Sequence, residues 1–303
     1  MLPRRVTPMP TRRRVLTVHG GTPASSEQRT KFGTMPIEDL PRIGLGTYSE
    51  DDQPQWTDNV RTALDVGYRA IDTAHAYGNE QYVGEGIASS SVDREDVFVA
   101  TKTVHVDLPS STDDVEGAID GCLDRLGVDY VDLLYVHWPS GEYDHEAILP
   151  AFDEAYNAGK VRHVGLSNFT PELLDEARDV LDAPLAAHQV EMHPLRPQEE
   201  LLAEAQRHGH WLVAYSPLAQ GRVFEVPAIE AVADKHDATP AQVSIAWLLA
   251  KDNVAVIPKA SSEEHMRDNL AAGEMALDEA DIARIDAIER RERLIDPGHA
   301  PWN

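Results

Sequence analysis

The feature that most constrains this chain is a two-part unit repeated from residue 41 onward: a short apolar run, then a stretch of helical periodicity. The runs cover residues 43–46, 69–73, 97–101, 131–136, 160–166, 185–190, 211–215 and 254–257. Most are near-continuous in apolar residues, as expected of strands buried on both faces. Between them, residues 57–66 place Val60, Ala63 and Leu64 on one face and stop at Gly67. Residues 112–126 repeat at Val115, Ile119, Cys122, Leu123 and Leu126 and stop at Gly127. Thr170-Pro-Glu-Leu and Thr239-Pro-Ala-Gln each set a capping threonine before a proline at the first helical position, the second ahead of an apolar helix over 243–249. Eight such units predict the α/β class and a single-domain (β/α)8 TIM barrel. An open doubly wound sheet competes, but it needs a glycine-rich phosphate loop after its first strand. Here Gly44-Leu-Gly46 is followed by Thr-Tyr-Ser, with no third glycine.

In a parallel barrel the carboxyl ends of all strands open on one face, so residues far apart in sequence meet there. Asp72 falls at the end of the second run, and Tyr77 follows in Asp72-Thr-Ala-His-Ala-Tyr77-Gly-Asn-Glu80. Lys102 comes just after the third run and His137 just after the fourth. Taken singly, a tyrosine near a strand end is ordinarily core lining and an Asp–Lys pair a structural bridge. Together, a carboxylate, a phenol, an ammonium and an imidazole suit proton transfer to a carbonyl oxygen.

These residues sit in wider motifs: Gly44-Leu-Gly-Thr, Thr101-Lys102, His137-Trp-Pro139, Gly165-Leu-Ser-Asn-Phe169, Gln189-Val-Glu-Met-His-Pro194, Tyr215-Ser-Pro-Leu218 and Ile257-Pro-Lys259. Across residues 41–303, in content and order, they resemble the aldo-keto reductase family. The closing Asp296-Pro-Gly-His-Ala-Pro-Trp302 is similar to its short bacterial and archaeal members, among them 2,5-diketogluconate reductases. The resemblance implies NAD(P)H-dependent reduction of aldehydes and ketones, with Asp72, Tyr77, Lys102 and His137 as a catalytic tetrad.

The physics of that assignment stands separately. Hydride arriving at a carbonyl carbon leaves negative charge on oxygen, which needs a proton donor. A free phenol has a pKa of ~10. An ammonium at ~4 Å contributes roughly 4 kcal/mol at an effective dielectric of ~20, or about three pKa units. That is an upper bound, because Asp72 offsets part of the field. On charge alone, Lys102 is expected to bring Tyr77 toward neutrality.

For the cofactor, the resemblance implies that Ser167, Asn168 and Gln189 hold the nicotinamide carboxamide and Tyr215 stacks on its ring. It further implies that Ser216 and Leu218 begin the loop over the pyrophosphate, that Lys259 and Ser261 meet the 2′-phosphate, and that Asn269 meets the adenine. Lys259 argues for NADPH as a point-charge phosphate binder. His265 stands where the family usually has arginine, and a histidine cannot make the bidentate fork. NADPH is therefore expected to be preferred, with NADH usable. The substrate pocket is expected from Tyr48, Val104, His105, Trp138 and Trp302; Trp302 either reaches the mouth or frays. Small aldehydes and 2-keto or dicarbonyl compounds are the expected substrates.

Composition bounds the rest. Asp and Glu number 52 against 27 Lys and Arg, of which six are Lys. Such a surface repels nucleic acid and anionic membranes; it reads as solvation, suited to high salt where self-repulsion is screened. The first 34 residues differ, with seven basic residues, one acid and no period. They read as a disordered basic extension, or as sequence upstream of a start at Met35, ahead of a 35–303 barrel domain. Arg12-Arg13-Arg14 lacks the apolar segment an export signal needs. The single cysteine, Cys122, fits a helix core and a cytoplasmic setting, and no run nears the ~18 apolar residues of a membrane span. A monomer is expected. No metal is expected; His188, Glu191 and His193 are spaced almost like ligands but fall at a strand end and a proline turn. His208 and His210 bracket a helix stop, where the helix dipole favours a cation. Two other function classes stay open: a nicotinamide-nucleotide-sensing subunit with little turnover, and a metal-dependent barrel hydrolase.

Overall fold

The computed structural model describes Ile37 and residues 40–49, 53–104, 112–141 and 143–303. The readings of residues 1–34 and of His105 lie outside these. Eight strands run in the order β1 to β8, every neighbouring pair parallel. They are β1 (Leu45–Gly46), β2 (Ala70–Asp72), β3 (Phe98–Thr103), β4 (Val131–Val136), β5 (Val161–Ser167), β6 (Leu185–Glu191), β7 (Trp211–Tyr215) and β8 (Val254–Val256). Parallel bridges from Ile43 to Val256 and from Gly46 to Lys259 join the last strand to the first and close the barrel. Each strand overlaps a predicted run, and β3 extends two residues past its run, so that Lys102 lies within the strand. β1 is shorter than its run, since Ile43 contributes only a bridge.

The helices are α1 (Gln55–Val66), α2 (Glu80–Ala88), α3 (Thr112–Leu126), α4 (His145–Asn157), α5 (Pro171–Val180), α6 (Glu199–His208), α7 (Pro227–His236), α8 (Pro240–Leu249), α9 (Glu263–Ala271) and α10 (Glu279–Asp286). The capping devices form as predicted. Thr170 accepts from Leu173 N, and Thr239 makes a reciprocal box with Gln242 ahead of Pro240. Gly127 takes φ +65, the left-handed conformation that ends α3 at little cost. Two helices, α7 and α8, occupy the β7–β8 connection.

The strand pleat sorts the core. Successive side chains alternate between the two faces of a strand. One set, Ile71, Val99, Leu134, Val164, Leu212 and Val254 among it, packs under the helices. The other set includes Ala70, Phe98, Ala100, Leu133, Tyr135, Ala187, Val213 and Ala255, and forms a second cluster within the barrel. Continuing the inward set along each chain reaches Asp72 on β2, Lys102 on β3, His137 after β4, Gln189 on β6 and Tyr215 on β7. The polar layer is thus the upper tier of the inner core. Trp211 Nε1 donates to Ile37 O at 3.0 Å.

His188 belongs to the outward set of β6 and is fully buried, its Nε2 accepting from Phe169 N at 3.2 Å. His210, just before β7, is also buried. The helix-dipole account of His210 fails: burial, then Arg178 and His208, push its imidazole down to about 3. Burial likewise holds His188 well below the ordinary range, with His210 and Arg178 adding to it. Both fold neutral and bind protons more readily when unfolded. Their contribution to stability is therefore complete at neutral pH and lost as pH falls below the unfolded value of ~6.5. For His210 the loss at pH 5 is about 2 kcal/mol. Denaturant midpoints should decline from pH 7 to pH 5, and His210→Gln should flatten the decline. An equally steep decline in the variant would rule this out.

Candidate active site

Asp72 closes β2 and Lys102 lies on β3, whose register sets Asp72 beside Ala100. After β2 the chain turns through a 3-10 turn, His75–Tyr77, which ends at Gly78 with φ +66. This brings Tyr77 back over the strand ends. The four predicted tetrad residues meet there. Lys102 Nζ bonds Asp72 Oδ1, donates to Thr73 O at 2.8 Å and lies 3.4 Å from Tyr77 Oη. His137 sets its ring edge-on to Tyr77, with centroids 5.7 Å apart. Its backbone N–H donates to Thr103 O at 2.8 Å, and its carbonyl accepts from Asn168 Nδ2 at 3.0 Å. Asp72, Lys102 and His137 are buried.

Two contacts absent from the sequence reading complete this layer. Gln189 Nε2 donates to Asp72 Oδ2 at 2.7 Å, so each carboxylate oxygen has a donor. Beneath it, the buried Tyr135 faces the Gln189 side chain from the inward register of β4. Tyr135 hid within the apolar run of β4; the signal that could have found it is its inward register with His137. Its ring fits because residue 165 is glycine: a Cβ there would stand 2.5 Å from the ring.

One expectation is corrected. Charge alone predicted a lowered phenol, but burial, then Asp72 and Tyr48, raise Tyr77 well above its ordinary value. Lys102 is lowered by burial, against Asp72 and Glu80, and Asp72 is raised by burial, against Lys102 and Gln189. Desolvation disfavours every isolated charge here. Tyr77 is accordingly neutral at physiological pH.

Ser167, Asn168 and Gln189 are buried at the ends of β5 and β6. Asn168 takes φ +64, its Oδ1 accepting from Tyr215 Oη at 2.8 Å and its Nδ2 donating to Ser167 Oγ at 3.1 Å. Ser216 follows with φ +49, and Leu218 is half-buried. Lys259, Ser261 and His265 are exposed around the start of α9, where Ser262 caps His265 N. Asn269 is buried near Tyr68, whose hydroxyl donates to Met266 O at 3.2 Å. A cradle of three buried polar side chains beside an aromatic ring, with an exposed lysine after β8, fits a flat amide-bearing ring and an anionic far end.

Among the pocket residues, Tyr48 is exposed and packs edge-on to Tyr77 at 5.1 Å. Val104 is buried at φ +59, a strained conformation for a β-branched residue, with its carbonyl accepting from Trp138 N at 3.2 Å. Trp138 is buried, and Trp302 packs on it at 5.6 Å, so Trp302 reaches the mouth. His299, which the sequence reading missed, meets Trp138 edge-on at 5.4 Å. The metal-like spacing near β6 resolves into separate contacts: His193 Nε2 pairs with Glu191 at 3.0 Å, while His188 faces Phe169. Among the described residues, Asp175, Glu204 and His208 converge, but Arg178 already bridges the two carboxylates at 2.9 and 2.7 Å.

The model of the Aldo/keto reductase family matches residues 32–290. Methylglyoxal reductase DkgB of Escherichia coli O157:H7 is 38% identical over 269 residues, covering 87% of this chain and 99% of the relative. An aldo-keto reductase of Mycolicibacterium vanbaalenii is 40% identical over 265 residues, 86% of this chain and 91% of that one. The crystal structure of MGS-M4, an aldo-keto reductase enzyme from a Medee basin deep-sea metagenome library, superposes with a TM-score of 0.80. It is 32% identical and covers 85% of this chain and 94% of its own.

The raised phenol predicts a spectroscopic outcome. The difference in tyrosinate absorbance between the protein and Tyr77→Phe should stay flat from pH 6 to pH 10. A step near pH 7 would instead restore the simple Coulomb expectation.

Proposed function

The chain belongs to the aldo/keto reductase family, and from that premise we propose that it reduces small aldehydes and ketones with NADPH, using Asp72, Tyr77, Lys102 and His137. The observation that carries this reading is the Lys102 ammonium, bonded to Asp72 and 3.4 Å from the Tyr77 hydroxyl in a buried strand-end layer.

The nicotinamide supplies hydride when bound; Ser167, Asn168 and Gln189 would hold its carboxamide, Tyr215 its ring, and Lys259 with Ser261 the phosphate end. Tyr77 gives its proton to the carbonyl oxygen as charge grows there. The tyrosinate left behind is stabilised by Lys102, whose ammonium donates toward Tyr77 Oη. Asp72 and Thr73 O orient that ammonium and keep it charged, and Gln189 fixes Asp72. His137, edge-on to Tyr77, orients the carbonyl. Trp138, Val104 and Trp302 wall an apolar mouth suited to a small carbonyl compound, consistent with the methylglyoxal reductase name of the DkgB relative.

Tyr77→Phe should bind NADPH as the native protein does yet lose turnover by at least ~100-fold, the lower range for a general acid. Near-native turnover would remove Tyr77 from its role. Tight NADPH binding with no turnover in the native protein would instead favour the sensing subunit. At the phosphate end, His265→Arg adds the missing fork. It should raise the NADPH over NADH ratio of kcat/KM about tenfold or more, the value of one charged hydrogen bond. An unchanged ratio would place the phosphate elsewhere.

We also read the barrel domain as residues 35–303, the protein as a cytoplasmic monomer, and its acidic excess as solvation for high salt. No helix among the described residues is long and apolar enough to cross a membrane. Thermal stability should rise from millimolar to molar KCl; a flat response would argue against the salt reading.

A further inference from the structure

Glu191, the last residue of β6, is a buried carboxylate with no part in the proton transfer described above. All its hydrogen bonds point to anchoring. Oε1 accepts from Leu294 N at 2.7 Å and from His193 Nε2 at 3.0 Å, and Oε2 accepts from Ile295 N at 3.1 Å. Burial opposes its ionisation, yet the bonds from His193 and the two amides hold it below the usual carboxylate range. Charge-assisted hydrogen bonds of this kind are roughly twice as strong as neutral ones.

The segment it grips has no helix or strand of its own. On either side of the two gripped amides stand residues that hold Trp302. Arg293 lies with its guanidinium 3.7 Å from the centre of the Trp302 ring, and Asp296 Oδ1 accepts from Trp302 Nε1 at 2.8 Å. Trp302 in turn packs on Trp138, beside His137. A chain of contacts therefore runs from the end of β6 to the outer wall of the mouth.

We propose that Glu191 is a positioning residue. Through Leu294 and Ile295 it fixes the segment that seats Trp302 on Trp138, and so sets how well a bulky carbonyl substrate is held. The substrate part rests on the carbonyl-reductase reading; the anchoring part does not.

Glu191→Gln is the direct test. In either orientation of the amide, its NH2 group faces a backbone N–H, of Leu294 or of Ile295. Hydrogen–deuterium exchange of residues 294–303 in the full chain should quicken by at least about tenfold, with the barrel strands unchanged. KM for a bulky aromatic aldehyde should rise about tenfold, while KM for methylglyoxal and kcat for both move by less than about twofold. Leu294→Pro removes one donor from the other side without altering β6, and should reproduce both effects; it decides the matter if Glu191→Gln does not fold. Unchanged exchange in 294–303, or equal KM shifts for the two substrates, would overturn the proposal. A native protein that turns over no carbonyl compound would overturn the carbonyl-reductase reading and the substrate part with it, leaving the exchange comparison to decide the anchor.

Discussion

The structure of the site hangs on one buried ion pair. An ammonium in the upper tier of a barrel core is tolerated only if its charge is met closely. Lys102 is met by Asp72 and by the carbonyl of Thr73, and Asp72 is met on its second oxygen by Gln189. Those partners come from β2, β3 and β6, so barrel closure and strand register are preconditions of the pair. Outside the barrel wall, Glu80 accepts from Thr101 at 2.5 Å and from Arg125 at 2.7 Å, tying β3 to α2 and α3 beside the lysine.

The same burial that makes the pair demanding determines its chemistry. In water, a lysine beside a tyrosine makes the phenol more acidic. In this layer burial, then Asp72 and Tyr48, raise the phenol instead, and Tyr77 keeps its proton. A fixed ammonium in a dry site meets any negative charge that appears beside it without reorganisation. A donor that stays loaded over a wide pH range follows from the packing rather than from the residue types.

β6 shows how one strand serves several tasks. Its pleat sends His188 outward to the helices and Gln189 inward to Asp72, while Glu191 at its end takes the returning C-terminal segment. An inserted residue would exchange these faces at once. Helix placement was plain from the sequence because the capping threonines, the prolines after them and the glycine stops act locally. The eight strands were plain because fully buried parallel strands are apolar throughout. That Asp72, Tyr77, Lys102 and His137 would gather was legible because they fall at strand ends or in the turn that follows. The placement of Tyr135 and the contacts of Glu191 were not, since nothing local separates a phenol in the core from one beneath a buried carboxylate.

By itself the sequence determined the repeating unit, the barrel it implies and which polar residues stand at its mouth, since these depend on short-range periodicity and on position within a strand. Only the tertiary structure decided how those residues are charged, that Trp302 packs at the mouth, and what holds it there. Each of those depends on groups distant in the chain coming together away from water, where a few ångströms of burial change the sign of an electrostatic effect.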